Sequence, residues 1–315
     1  MALRSIFVTG ATGFVGRHLC TALGLLYPQS QRRYLRRQDD IQVISGWEAV
    51  SGDVRDEAAL TRAFQQDAPD LVIHLAAQSS VASAQKEALG TWEANVGGAL
   101  ALSRAISLSS PGALLLAVSS ADVYGASFNL GDCDETTLPV PVNPYARSKL
   151  SAEGIFCDAD LGQLIIVRPF NHSGAGQDER FALPSFAAQI ARMETGRIPP
   201  ILNVGDLSPQ RDFLDVRDVV DAYLALIAKA ESLPRLSLFV IARGEAVTLS
   251  YLLDELRRQA RVQFTIEIDQ ERLRRSDFPR TVGNAAALKR AVGWAPQRSH
   301  PEMLASILDY WRARA

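Results

Sequence analysis

Lysine is nearly missing from this chain of 315 residues: of 33 basic side chains only Lys86, Lys149, Lys229 and Lys289 are lysine. Charge of either sign is not in excess either, since 33 Lys and Arg face 35 Asp and Glu for a net charge of −2. That balance gives no electrostatic reason for a polyanionic partner, so neither nucleic acid nor a membrane surface is expected. Cysteine is equally scarce. Cys20, Cys133 and Cys157 are odd in number, far apart, and lack the paired spacing of a disulfide framework or a zinc site. They read as free thiols in a reducing compartment, the cytoplasm. No run of about 18 apolar residues exists to cross a bilayer. The opening "MALRSIFVTGATG" enters an apolar run that breaks at Thr9 and glycine, unlike a signal-peptide cleavage pattern. His74 and His172 have no i+4 partner or acidic neighbours at ligand spacing, so core or supporting roles are expected and no metal.

What is present is a large apolar fraction, 47% of residues, arranged in short runs that alternate with helical patterns. "SIFVTG" reads as a buried strand, residues 12–26 as a helix, "IQVISG" as a strand, 56–66 as a helix and "DLVIHLAA" as a strand. The rhythm continues through a helix over 92–108, the strand "ALLLAVSS", a helix over 145–161 and the strand "QLIIVRPF". Repeated βαβ units predict an α/β fold, a doubly wound parallel sheet of Rossmann type. Beyond residue 170 glycine and proline interrupt the pattern, as in "NHSGAGQ" and "GRIPP", while helices over 184–195 and 250–260 remain. The expected division is a dinucleotide-binding domain over 1–170 and a smaller, mainly substrate-binding part over 171–315, with parts of about 212–242 returning to the sheet. The basic cluster "QRRYLRRQDD", 31–40, reads as a solvated helix end or loop.

"FVTGATGFVGRHL" places Gly10, Gly13 and Gly16 directly after the first strand and at the mouth of the first helix. Glycine suits a tight turn, a close backbone approach to pyrophosphate and close packing of helix on strand, with the phosphates at the helix N-terminus. In "SGDVRD", Asp53 stands where a carboxylate can accept hydrogen bonds from adenine, although Asp53 or Asp56 can equally cap a helix. After "QVISG" no carboxylate for a ribose 2′-hydroxyl and no arginine for a 2′-phosphate is well placed; Glu48 and the cluster at 32–37 are imperfect candidates. NAD and NADP both stay open.

"NPYARSK" carries Tyr145 and Lys149 at i and i+4, one turn apart on one helix face. Moving a phenol from a pKa of about 10 to about 7 takes roughly 4 kcal/mol. A cation at about 6 Å in an effective dielectric near 20 supplies roughly 3 kcal/mol.

Five segments, "TGATGFVG", "HLAAQSSV", "SSADVYG", "YARSK" and "VRPFNHSGAGQ", resemble in order and spacing the extended short-chain dehydrogenase/reductases that act on nucleotide sugars. The resemblance implies catalytic roles for Ser120, Tyr145, Lys149 and the accessory carboxylate Asp122. It implies a cofactor site of Gly10, Thr12, Gly13, Phe14, Val15, Gly16, Asp53, Val54, Leu75, Ala76, Ala77 and Phe170, shared with Tyr145 and Lys149. Substrate contacts are implied for Asn171, Arg211 and Arg274. Position 121 is alanine and 122 aspartate, a departure from relatives that eliminate water with an aspartate-glutamate pair. "NVGDLSPQRDFLDVRDVVDAY" and "LRRSDFPRTVGNAAALKRAVGW" are most similar to the branch that reduces the 4-keto group of GDP-linked 6-deoxyhexoses. The expected reaction is therefore NAD(P)H-dependent reduction of such a sugar, to GDP-D-rhamnose or a C4 epimer; the alternative is a 4-epimerase or 4,6-dehydratase with tightly bound NAD. Arg275 in place of proline and "GAG" in place of "GPG" at 174–176 depart from related reductases. The resemblance also implies a homodimer through the helices near 92–108 and 145–161.

Overall fold

The computed structural model describes residues 3–273 and 278–315. Its chain opens with strand β1 (Ser5–Thr9), helix α1 (Phe14–Leu26), β2 (Gln31–Arg36), β3 (Glu48–Ser51), α2 (Glu57–Gln66) and β4 (Leu71–His74). There follow α3 (Val81–Lys86), α4 (Ala88–Trp92), a π-helical turn (Glu93–Gly97), α5 (Gly98–Ser109), β5 (Leu114–Val118), α6 (Pro144–Asp158) and β6 (Gln163–Pro169). Next come β7 (Asn171–Ser173), α7 (Ala182–Glu194), β8 (Ile201–Val204), β9 (Gln210–Asp215), α8 (Val216–Ala228) and β10 (Leu236–Ile241). The chain closes with β11 (Ala246–Thr248), α9 (Leu249–Gln259), β12 (Thr265–Ile268), β13 (Arg280–Thr281), α10 (Ala286–Val292) and α11 (His300–Arg312).

Seven strands form one parallel sheet in the order β10-β6-β5-β4-β1-β2-β3, the doubly wound Rossmann-type arrangement. Both faces are covered, which is why β1, β4 and β5 are nearly continuous apolar runs. One face packs Ile6, Val8 and Ile73 against Leu19 and Leu23 of α1 and Val219 and Leu226 of α8. The other packs Phe7, Val72 and Leu115 against Leu60 and Phe64 of α2, Leu102 and Ile106 of α5 and Phe156 of α6. A second core joins Leu183, Phe186 and Ile190 of α7 to Leu252 and Leu256 of α9 and Leu304 and Ile307 of α11. It lies beside two small sheets, β11-β9-β13 with β7 on β9, and β12-β8. Strand β10 lies beyond α7 and β8 in the chain, yet it pairs with β6 over Leu236↔Leu164 to Ile241↔Pro169 and so completes the large sheet.

The second strand is not where apolar content points. "IQVISG" forms no strand, and Ile41 and Val43 are 91% and 70% exposed. The strand is Gln31–Arg36, inside the basic cluster, with Arg33, Tyr34 and Leu35 buried. Arg33 is tolerated there because its guanidinium donates to the Ala63 carbonyl at 3.0 Å and to the Asp67 carbonyl, and pairs with the Asp67 carboxylate at 3.0 Å. Those groups lie at the C-terminal end of α2, where free carbonyls and the helix dipole favour a cation. Register supplies the rest: Gln31 N–H donates to Arg4 O at 2.7 Å, which starts the parallel ladder to β1 immediately after α1. Among the described residues no helix is long and apolar enough to cross a membrane, and no group of three or more His, Cys, Asp or Glu is placed to hold a metal ion.

Candidate active site

The strand order reverses between β1 and β4, the point where an open α/β sheet has its crevice. The turn that leaves β1 there has no room for a side chain at Gly10 or Gly16. Gly10 has φ +75°, and a Cβ on it would lie 2.6 Å from Ala76 N and 2.8 Å from Leu75 C, at the exit of β4. A Cβ on Gly16 would lie 2.2 Å from the Gly10 carbonyl oxygen. Gly13 is the N-cap of α1, which has no side-chain cap and no acidic residue in its first turn. Uncapped first-turn N–H groups and the positive helix end leave this cradle suited to a phosphate. Behind it Thr9 and His74 share a hydrogen bond of 2.8 Å, and burial holds the His74 imidazole neutral, its pKa pushed down to about 3. Thr12 donates to the Asp40 carboxylate at 2.5 Å, Phe14 stacks on His172 at 6.2 Å, and Val15 packs against the α1 core.

On the far side of the crevice, α6 begins at Asn143, whose side chain accepts from Ala146 N, with Pro144 in the first turn. That start sets which face of α6 meets β5. Tyr145, Lys149 and Glu153, at i, i+4 and i+8, are all buried along it. Ser120 leaves β5 at the N-cap of a short 3₁₀ turn and accepts from Asp122 N at 3.1 Å. Tyr145 lies within reach of both: burial and then the Asp122 charge push its phenol well above the ordinary value, opposed by a hydrogen bond from Ser120. The expected acidification by Lys149 is not what the structure holds. Lys149 donates instead to the Val118 carbonyl at 2.5 Å, and burial pulls its pKa down to about 8 against the raising effect of Glu153. Desolvation of the phenol and an aspartate beside it outweigh a cation committed elsewhere. In this state the Tyr145 phenol is neutral.

Several residues that complete this arrangement escaped the sequence reading. Glu153 accepts from Arg168 Nε at 3.0 Å and Nη2 at 2.6 Å and from the Ser119 hydroxyl, while Arg168 lies 5.0 Å over the Tyr124 ring. Glutamate two turns after Tyr145, on the face that Tyr145 shares with Lys149, was the available signal. Asn95, in the π-helical turn, accepts from Gln78 N at 2.8 Å and donates to Ser148 Oγ at 2.9 Å, tying the exit of β4 to α6. π-Turns concentrate at functional sites, but no sequence pattern announces one. Arg36 and Arg37, within the cluster at 32–37 already named as an imperfect 2′-phosphate candidate, fall at the end of β2.

The remaining candidates are dispersed along the crevice and the small sheet. Asp53 is not a cap: its carboxylate binds Arg55 Nε at 2.8 Å and Nη2 at 3.0 Å, while Asp56 caps α2 through Ala59 N. Val54 packs against Gly98 of α5, and Ala77 follows Leu75 and Ala76 out of β4. Phe170 is buried against Tyr124 and Phe128. Asn171 opens β7 and is paired with Phe213, two residues along β9 from Arg211, so both stand on the β7-β9 sheet. Arg211 donates to the Gln210 carbonyl at 2.8 Å. Arg274 and Arg275 lie outside the described residues.

Residues 6–242 match the model of the NAD dependent epimerase/dehydratase family. The chain is 34% identical to GDP-6-deoxy-D-mannose reductase of Pseudomonas aeruginosa over 98% of this chain and 97% of that one. It is 26% identical to UDP-glucose 4-epimerase of Neisseria meningitidis over 98% of this chain and 97% of that protein. The solved structure of RMD from Pseudomonas aeruginosa complexed with NADPH superposes with a TM-score of 0.83 at 33% identity, covering 99% of this chain and 100% of that one.

Proposed function

Because the chain belongs to the NAD dependent epimerase/dehydratase family, we propose that it is an NAD(P)H-dependent oxidoreductase acting on a nucleotide sugar. Its reaction is reduction of the 4-keto group of GDP-4-keto-6-deoxy-D-mannose, to GDP-D-rhamnose or its C4 epimer. What supports the reading is that Ser120 and Asp122 reach the Tyr145 phenol, with Lys149 one turn further along α6, in a chain that aligns over 98% of its length with a GDP-6-deoxy-D-mannose reductase.

The glycine cradle and the bare start of α1 suit a dinucleotide, which when bound supplies the hydride. Gly10, Thr12, Gly13, Phe14, Val15 and Gly16 take the pyrophosphate, Asp53 and Val54 border the adenine, and Leu75, Ala76, Ala77 and Phe170 line the rest. Tyr145 gives its proton to the C4 oxygen, and Ser120 donates a hydrogen bond to that oxygen. Lys149, one turn away and bonded here to the Val118 carbonyl, would bind the nicotinamide ribose and stabilise the phenolate left behind. Burial, and after it the Asp122 charge, raise the phenol's pKa, so Tyr145 enters the reaction protonated. Asn171 faces the sugar, and Arg211 and Arg274 take the diphosphate, for which a guanidinium is suited. Residues 1–170 with β10 thus serve the cofactor and the remainder of 171–315 mainly the substrate.

NADPH is the preferred cofactor in this reading. Arg36 ends β2, and among the described residues its guanidinium makes no hydrogen bond or ion pair, although its charge helps to lower the Asp40 carboxyl, whereas Asp40 is engaged by Thr12 and by Gln42 N at 2.9 Å. An uncommitted guanidinium at that strand end favours a 2′-phosphate. A homodimer is supported by a groove of ≈ 500 Å³ along α5 and α6, where Leu100 and Leu108 are 40% and 68% exposed. The free thiols Cys20, Cys133 and Cys157 accord with a cytoplasmic location.

The test is to mix purified protein with GDP-4-keto-6-deoxy-D-mannose and NADPH or NADH and follow the absorbance of the reduced nicotinamide. Consumption, faster with NADPH, is expected. Folded protein that turns the nucleotide sugar over with bound NAD and no net consumption would be an epimerase or dehydratase instead.

A further inference from the structure

We propose that Arg17 and His18 are positioning residues that couple dinucleotide binding at the glycine turn to nucleotide-sugar binding at segment 171–177, an inference that rests on the cofactor and substrate sites above. Both lie one turn into α1. Arg17 Nη1 donates to the Thr12 carbonyl at 2.7 Å, inside the turn, and to Gln42 Oε1 at 3.2 Å. Its Nη2 donates to the Gly176 carbonyl at 2.8 Å, and His18 Nε2 bonds the Ala175 carbonyl at 2.8 Å. One guanidinium therefore spans the phosphate turn and the substrate-side segment. Phe14 adds a third contact, stacked on His172 at an interplanar angle of 10°, and His172 Nδ1 bonds the Phe170 carbonyl at 2.9 Å. Segment 171–177 starts with Asn171 and leads directly out of β6, so what fixes it fixes the approach to the sugar.

The segment is shaped for this contact. Gly176 has φ +88°, and a Cβ there would lie 3.3 Å from Arg17 Nη2. Among the described residues Arg17 forms no ion pair with a carboxylate; its charge is answered by carbonyl and amide oxygens alone. A pyrophosphate at the start of α1 would add the missing negative charge beside Arg17 and Thr12, tightening the fork that also grips Gly176. Ordering the segment in this way is done once for both ligands, so whichever binds first lowers the cost for the second. Such coupling is reciprocal by linkage.

Calorimetric titration tests it with NADP+ and GDP, each alone and each with the other saturating. In the unaltered protein each ligand should tighten the other by at least about fivefold, the low end of ordinary coupling. His18→Leu removes only the bridge to Ala175, and Arg17→Met removes both ends of the fork. In each variant the ratio should fall to near one even if Arg17→Met also weakens NADP+ itself, because the ratio cancels single-ligand losses. A ratio of one in the unaltered protein, or the full ratio in a folded His18→Leu variant, overturns the coupling while leaving the enzymatic reading intact. Failure of the unaltered protein to bind NADP+ or GDP at all sinks that reading and the coupling with it.

Discussion

The two walls of the crevice are held in opposite ways. The turn is fixed by what is missing at Gly10 and Gly16: backbone atoms stand 2.6 and 2.2 Å from where their Cβ atoms would be, so only glycine fits at either position. The face of α6 is fixed by what is buried, a phenol, an ammonium and a carboxylate in successive turns, the ammonium bonded to Val118 of β5 and the carboxylate to Arg168 of β6. A steric requirement restricts residue type and survives as a motif. A balance of buried charges depends on partners far along the chain, and its members look ordinary until the fold brings them together.

Substitutions on the α6 wall should have the largest effects. Tyr145→Phe removes the proton donor and should lower kcat by about 10²–10⁴-fold, with NADPH affinity nearly unchanged in fluorescence titration; normal turnover would overturn the acid assignment. Arg168→Met strands the Glu153 carboxylate in the interior and should cost about 3–5 kcal/mol in urea unfolding. The double variant Glu153→Gln/Arg168→Met should regain much of that loss, which a wall held by packing alone would not do.

A matched pair of glycine substitutions sharpens the contrast between the walls. Gly10→Ala, at φ +75° and against Ala76, should cost about 1–3 kcal/mol and weaken NADP+ binding. Gly154→Ala, exposed on α6 with no atom within 4 Å of the new Cβ, should raise stability by about 0.5–1 kcal/mol. Thermal melts of the two would separate a required glycine from an incidental one.

The smallest expected signal is a pH dependence. Burial lowers Lys149 from 10.5 to about 8, so between those values the unfolded chain holds a proton that the native one has released. Stability contributed at this site therefore rises with pH across that window and is at its least below it. Activity should run the other way, falling above about pH 8 as the ammonium is lost. Chemical denaturation at pH 7.5 and 10, compared between the unaltered protein and Lys149→Met, isolates the stability part; equal slopes would refute it.

Much of this was readable in advance where local rules and tertiary needs coincide. β1, β4, β5 and β6 are apolar runs because parallel strands are covered on both faces, and the uncapped start of α1 follows from its glycines. β2 was misplaced because apolar content favours "IQVISG", while the register to β1 and the Asp67 carboxylate that neutralises Arg33 select "QRRYLR". That error left Arg36 as one member of an imperfect candidate cluster at 32–37 rather than the arginine that ends the strand. Tyr145, Ser120 and Lys149 are candidates from spacing and resemblance. Their electrostatics were not readable in this way, because i+4 spacing fixes a shared face but not that the lysine would turn to Val118 and leave the phenol to Asp122.

Strand β10 has a consequence for anyone wishing to divide the molecule. The sheet that carries the cofactor borrows its outer strand from chain that has already built α7, β8, β9 and α8. Cutting after residue 170 would leave β6 with a naked hydrogen-bonding flank and no cover for its apolar neighbours, an invitation to self-association. Exchange of substrate-side material between homologous enzymes should therefore be planned as replacement of an internal loop-out, spliced at both the β6 and β10 junctions, never as a swap of tails.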